Sequence, residues 1–238
     1  MSAYPIYVRG LANEPKVALT FDDGPNPPRT EQLLEILART EARVTFFLMG
    51  KWVERFPRTV DRILAGGHLV GNHGYSGQGW IGDYDEAEAV IGHLTGTPSR
   101  YFRPHTFNYG AYFQSRVSRL PESRAIGRDI DSNDWDTSDP DTIARAVLDH
   151  PRLGPGSIIV LHDGAEHTEA ASRLQRPLPM LEALPRIIAD LTNRGLACVR
   201  VDEMTLAEPL FWELGAPTSA LKSHDHLATL ANSGDVLR

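Results

Sequence analysis

Cysteine is almost missing from this sequence. Cys198 is the only one in 238 residues, so no disulfide can form within the chain, and its setting in "GLACVRV" makes it a buried packing residue rather than a nucleophile. Clusters of lysine and arginine are missing too. The 24 basic residues are outnumbered by 31 acidic ones, a formal net charge of -7 with a pI near 5.7. That balance excludes generic attraction to nucleic acid or to an anionic membrane, which needs clustered positive charge. No apolar run is long enough to span a bilayer, and the opening "MSAYPIYVRGLANEPK" lacks the basic start and continuous apolar stretch of a secretory signal. The expectation is a cytoplasmic protein with no nucleic-acid and no membrane partner. Internal repeats and low-complexity tracts are absent, and no feature specifies an oligomeric state.

What is present is an ordinary globular composition, 41% apolar and 23% charged, enough to bury a sizeable core. Short β-rich runs alternate with helical patterns. "KVALTF" at 16–21 leads to a helical stretch near 30–39, "RVTFFLM" at 43–49 to another near 57–66, and strand candidates follow at 68–71, 101–104, 124–130, 157–162 and 197–201. Helical patterns also cover 83–94, 139–149 and 178–194. The alternation predicts about seven βα units around a mostly parallel sheet. In the last helix Leu181, Leu184, Ile187, Ile188 and Leu191 form a core stripe, and Gly195 supplies the stop. The reading divides the chain into an N-terminal segment 1–15, one domain 16–205 and a C-terminal extension 206–238, whose His224 and His226 are read as surface residues.

Five segments carry chemistry. "LTFDDGPNPP" ends a strand in Asp22 and Asp23; alternation points the two carboxylates differently, so one can hold a metal while the other takes a proton from water. Read blandly, the same segment is a turn rich in turn-forming residues. "GGHLVGNHGYSG" sets His73, a possible cation ligand, in a glycine-rich loop, with His68 as a structural residue. "YFRPHTFNYG" offers Arg103 as a carboxylate partner, with His105 and Tyr109 beyond it. "DIDSNDWDTSDP" holds Asp131, Asp134, Asp136 and Asp139 around Trp135; most of these read as an acidic, helix-capping loop, and Asp134 alone carries a functional expectation. "SIIVLHDG" closes a buried apolar strand with Leu161, His162 and Asp163, placing His162 opposite the first aspartates to protonate a leaving amine.

In this order the five segments resemble the NodB homology domain of the polysaccharide deacetylases, carbohydrate esterase family 4, over residues 16–205. The resemblance implies an α/β fold, a distorted, incomplete (β/α)7-type barrel in a single domain, with a groove across the strand ends. It implies a hydrolase acting on carbon-nitrogen bonds other than peptide bonds, removing an N-acetyl or similar acyl group from a small-molecule or short-saccharide substrate. Asp22 would activate water and Arg103 orient Asp22, while Asp23 and His73 bind a divalent metal, with Zn2+ the expected ion. His162 would be the general acid, tuned by Asp134, and Leu161 would line the pocket for the acyl methyl. Trp135 and Tyr109 are candidate substrate contacts.

One departure matters. The family's second segment reads His-x-x-x-His, and here the second position is Gly77, which has no ligand atom. His105, standing where the family has proline, is a candidate for the missing ligand or for a substrate contact. Three alternatives therefore accompany the deacetylase reading: a metal-independent hydrolase of a cyclic amide or ureide, a non-hydrolytic isomerase, cyclase or lyase on the same fold, and an inactive carbohydrate-binding module using Trp80, Trp135 and Tyr109. Arg152, Arg173 and Arg176 are read as solvated surface.

Overall fold

A computed structural model describes residues 3–76, 81–104, 122–164 and 178–213. The strands are β1 (Ala3–Tyr7), β2 (Lys16–Asp22), β3 (Thr45–Leu48), β4 (Leu69–Asn72), β5 (Tyr101–Phe102), β6 (Arg124–Ile126), β7 (Ile130–Asp131), β8 (Ile158–His162), β9 (Ala197–Cys198) and β10 (Leu210–Glu213). Among the described residues the helices are α1 (Arg29–Leu37), α2 (Gly50–Arg55), α3 (Pro57–Ala65), α4 (Ile81–Thr95), α5 (Pro140–Leu148) and α6 (Pro179–Asn193), with a 3-10 turn at Val201–Glu203. None of these helices is long and apolar enough to cross a membrane.

The sheet runs β10-β1-β6-β5-β4-β3-β2-β8-β7, with β9 paired to the start of β2. Every pairing is parallel except β1 with β10. Central β2 is apolar almost throughout and buried at every position after Lys16, as a parallel strand covered on both faces must be. Its side chains alternate between two cores. Leu19 and Phe21, with Ile159 and Leu161 from β8, pack outward against helix residues such as Leu33, Ile63 and Leu184. Ala18 and Ile158 face the other way, into a smaller cluster with Phe47, Ile126 and Val201. This is the expected α/β single domain with a half-barrel sheet.

Four sequence expectations change. Residues 3–7 and 210–213 were assigned to the flanking segments, yet they pair with each other, and β1 also pairs with β6. Their short runs contain or follow prolines and show no alternation, so only the long-range pairing makes them strands. The single strand expected at 124–130 divides in two, because β6 belongs beside β1 and β5 while β7 belongs beside β8. Residues 127–129 thus carry the chain from β6, inside the order between β1 and β5, across to β7 at the far edge, as a half-barrel requires. Buried Asp129 fastens that crossing by ion pairs to Arg9 and, at 2.6 Å, to Arg152, so Arg152 is not simply solvated surface. Finally, α2 inserts before α3, where the sequence indicated only one helix.

In α6 the buried stripe is Met180, Ala183, Leu184, Ile187, Ile188 and Leu191, with Pro179 at the helix start. Met180 and Ala183 join the expected stripe, whereas Leu181 lies only partly buried at its edge. Leu184 is inaccessible to solvent. Leu184→Ala therefore removes about 2–5 kcal/mol of stability, the usual range for emptying a core leucine site. The midpoint of urea unfolding reports it directly, and an unchanged midpoint would contradict the packing described.

Candidate active site

The site forms where β2, β4, β5 and β8 end. Asp22 is the last residue of β2, and Asp23 follows in the left-handed region at φ 74°, a conformation uncommon for residues other than glycine. Both side chains are buried. Arg103, just past β5, reaches across the inside of the sheet. Its Nη1 donates to Asp22 Oδ1 at 2.7 Å and to Thr20 Oγ1 at 2.8 Å, while Nη2 and Nε donate to the carbonyls of Gly127 and Ile126. The guanidinium also lies over the Phe47 ring, 4.3 Å from its centroid. Thr20 in turn donates to the Ile159 carbonyl. The charge is thus tied to four strands of the barrel.

His73 follows β4. Its Nδ1 lies 2.7 Å from the Arg103 carbonyl, and since a carbonyl can only accept, Nδ1 carries the hydrogen. Nε2 then points at the carboxylates, 3.4 Å from Asp23 and 3.8 Å from Asp22. Burial alone would lower the His73 pKa, but the charges of Asp22 and Asp23 raise it. The loop after His73 is held by another carboxylate: Asp83, wholly buried at the start of α4, accepts from the Tyr75 and Ser76 amides and from the Ser76 hydroxyl. Asn72 adds its side-chain oxygen to the Gly74 amide. Gly74 has φ 85°, and a β-carbon there would overlap Asp83.

His162 ends β8. It is the in-register neighbour of Asp22 on the adjacent strand, at a strand spacing of roughly 4.8 Å; the two are side by side rather than on opposite walls of the barrel. Asp134 grips it twice, accepting the backbone amide at 2.8 Å and lying 2.7 Å from Nδ1, while Ser132 donates to the same carboxylate. The other ring nitrogen, Nε2, has no protein partner among the described residues. Burial alone would lower the His162 pKa; the Asp134 hydrogen bond and charge, helped by Asp23 and Asp22, raise it to about 10.

The alternation of β8 corrects one assignment. Leu161 faces away from His162, into the outer core with Phe21 and Ile159, and is inaccessible; the residue beside His162 on the site face is Val160, partner of Thr20. Of the acidic loop, Asp139 caps α5 by accepting from the Asp141 and Thr142 amides, and Asp131 pairs with Arg128. Trp135, next to Asp134, is 68% exposed. His68 accepts from the Val44 amide, and burial with neighbouring Arg43 and Arg200 lowers its pKa to about 4, in keeping with a structural role. Gly77, Trp80, His105, Tyr109, Arg173, Arg176, His224 and His226 lie outside the described residues. Sequence reading assigned no role to Thr20, Thr30, Asn72, Asp83 or Asp163; the only hint is that Thr20, Asn72 and Asp163 lie in motif segments and Thr30 just past one.

A divalent cation is partly accommodated by these residues. A histidine that gives its Nδ1–H to a backbone carbonyl and turns Nε2 toward carboxylates has the arrangement typical of a metal ligand. Among the described residues, however, no group of three or more histidine, cysteine or acidic side chains is placed to hold one.

The His162–Asp134 pair has a measurable signature. Because the folded pKa lies above the ordinary 6.5, the pair contributes its full stability below pH 6.5 and loses it as pH rises through about 10. Asp134→Asn should move the His162 NMR titration well down from about 10. The stability gap between wild type and variant should shrink over the same pH window. A titration unmoved by the substitution would contradict the pairing.

The polysaccharide deacetylase family model matches residues 9–121. A peptidoglycan-N-acetylglucosamine deacetylase of Bacillus cereus is 30% identical over 211 residues, covering 84% of this chain and 72% of that protein. A chitooligosaccharide deacetylase of Rhizobium leguminosarum bv. trifolii is 34% identical over 199 residues, 78% of this chain and 90% of the relative. Among solved structures, a peptidoglycan N-acetylglucosamine deacetylase in complex with 4-naphthalen-1-yl-N-oxidanyl-benzamide superposes with a TM-score of 0.73 at 29% identity, covering 84% of this chain and 92% of the other. Sequence identity at this level over most of both chains, on a shared half-barrel, means that the chain belongs to the polysaccharide deacetylase family, carbohydrate esterase family 4.

Proposed function

We propose that this protein hydrolyses the N-acetyl or a similar N-acyl group of an amino sugar in a short saccharide or small metabolite. The observation that carries the reading is the in-register pair of Asp22 and His162 at the strand ends, each with its own charged partner. Asp22, hydrogen-bonded to Arg103, takes the proton of the attacking water. His162 stays protonated through neutral pH, with Asp134 on Nδ1, and hands its Nε2 proton to the departing amine. Arg103 fixes the direction of the Asp22 carboxylate, and Val160, on the face shared with His162, replaces Leu161 as the apolar neighbour of the acyl methyl. Trp135, projecting into solvent beside Asp134, is positioned to meet a sugar ring.

Asp23 and His73 are the residues that would hold a divalent cation, with Zn2+ the ion expected for such donors. When bound, the cation would polarise the acyl oxygen. The remaining donor has to come from outside the described residues or from solvent. Gly77 in place of the family's second histidine motivates one second reading, a metal-independent hydrolase in which the same acid and base act on a more reactive C–N bond.

Acetate release from N-acetylglucosamine oligomers tests the proposal. Asp22→Asn should lower kcat by about 10²–10⁴-fold, the range for loss of a general base, in a protein that still folds but unfolds at a lower temperature because buried Arg103 loses its counter-charge. Chelation should suppress wild-type turnover and added Zn2+ restore it; turnover indifferent to chelator would select the metal-independent reading. An Asp22→Asn variant with wild-type rates would remove Asp22 from the mechanism altogether.

A further inference from the structure

The turn that carries Asp22 and Asp23 is backed by a buried carboxyl to which the mechanism gives no task. Asp163, the residue after His162, is completely inaccessible. Its Oδ2 accepts from the Thr30 hydroxyl at 2.6 Å, and the same hydroxyl accepts from the Asn26 amide at 2.7 Å. Thr30 is itself inaccessible, in the first turn of α1. The other oxygen, Oδ1, has no hydrogen-bond partner among the described residues. Burial pushes the Asp163 carboxyl up to about 7, with Thr30 opposing and the Asp23 charge adding to the rise. A carboxyl so placed is expensive, and an aliphatic side chain of similar volume would be less so. Its retention needs a specific reason.

That reason lies in what the carboxyl touches. A β-carbon on Gly24 would overlap both Asp163 oxygens, and one on Gly164 would overlap the Asp23 carbonyl, so the Asp23–Gly24 backbone is seated directly on Asp163–Gly164. The Asp163 amide donates to the Asp22 carbonyl at 3.3 Å, and the Met49 amide donates to the Gly24 carbonyl at 2.9 Å. Left-handed backbone at a non-glycine residue persists only where its surroundings over-determine it. Here those surroundings are Asp163, the Thr30–Asn26 link and Met49.

We infer that Asp163 and Thr30 act as a positioning pair: their hydrogen bond clamps the start of α1 to the end of β8, and the clamp sets the left-handed turn at Asp23 that aims the Asp22 and Asp23 carboxylates. The structural consequence stands alone, whereas the kinetic one rests on the deacetylase reading above. Thr30→Val keeps the volume and deletes both hydrogen bonds; Thr30→Ser keeps the hydroxyl.

The test is to solve crystal structures of both variants and measure acetate release. In Thr30→Val the Asp23 turn should leave its position and the 2.7 Å contact between Arg103 and Asp22 should lengthen, with the barrel unchanged. Turnover should fall about 10–100-fold at nearly constant KM, the penalty for displacing a reacting group by roughly 1 Å. Thr30→Ser should restore the turn and bring kcat back to within about threefold of wild type; a residue acting only through stability would lower the unfolding temperature without this split. Asp163→Ala, which removes the acceptor instead, should displace the same turn and serves if Thr30→Val does not fold. An undisplaced turn in the folded variant overturns the inference whatever the activity. A displaced turn in a protein whose wild type releases no acetate supports the clamp and refutes the deacetylase reading alone.

Discussion

The ion pair between Arg103 and Asp22 is the interaction on which the other features of the site depend. Both partners are buried, and two charges taken out of water are tolerated only with close geometry and further hydrogen bonds. Arg103 meets that condition by also donating to Thr20, Ile126 and Gly127 and by lying over Phe47. Its own backbone joins in, since its amide donates to the Asn72 carbonyl and its carbonyl accepts from His73. One residue therefore couples the direction of a carboxylate, the tautomer of a histidine and the spacing of β2, β4 and β6. Removing either member of such a pair leaves an uncompensated buried charge, a loss of about 3–5 kcal/mol.

Around this centre the site shows one constructional rule used three times. A buried acidic side chain lies behind each active loop: Asp83 accepts from the loop of His73, Asp134 accepts the backbone amide of His162, and Asp163, packed against Gly24, is the one inferred to set the turn of Asp23. Asp83 and Asp134 accept from amides and hydroxyls at or just beyond a strand end, whereas Asp163 accepts from the Thr30 hydroxyl at the start of α1. Strand ends are rigid, their connecting loops less so, and a carboxylate fixing the first residues of a loop extends the rigidity of the sheet to the reacting groups. The glycines follow the same logic, because Gly24 and Gly74 lie where a β-carbon would strike the supporting carboxyl.

The electrostatic result is a division between neighbours. Asp22 has a cation at 2.7 Å and His162 an anion at 2.7 Å, and the two stand side by side on adjacent strands. Had the partners been exchanged or missing, an aspartate and a histidine this close would pair with each other. Separate partners keep the carboxylate an acceptor and the imidazolium a donor, the polarity that attack by water and departure of an amine require.

Much of this was legible in the sequence, and the reason is locality. Parallel strands buried on both faces write themselves as apolar runs, as in "KVALTF" and "SIIVLH", and the residues at their ends fall at the catalytic rim because every βα unit points the same way. Asp22, Asp23, His73, Arg103, Asp134 and His162 all stand in or just beyond such segments, and the structure brings them to one edge of the sheet. Leu161 could have been excluded by the same alternation, since it is one residue out of phase with His162. Other features depended on contacts that no local pattern records. Strands β1 and β10 exist only through pairing with each other and with β6, β6 and β7 separate because one pairs beside β1 and β5 and the other beside β8, and His162 lies beside Asp22 because β8 pairs with β2. The supporting roles of Asp83, Thr30 and Asp163 arise the same way. Sequence determined which side chains could do chemistry and that strand ends would carry them. Tertiary structure alone decided their partners, because hydrogen bonds and ion pairs between residues 81 or 133 positions apart depend on the register of the sheet and not on spacing along the chain.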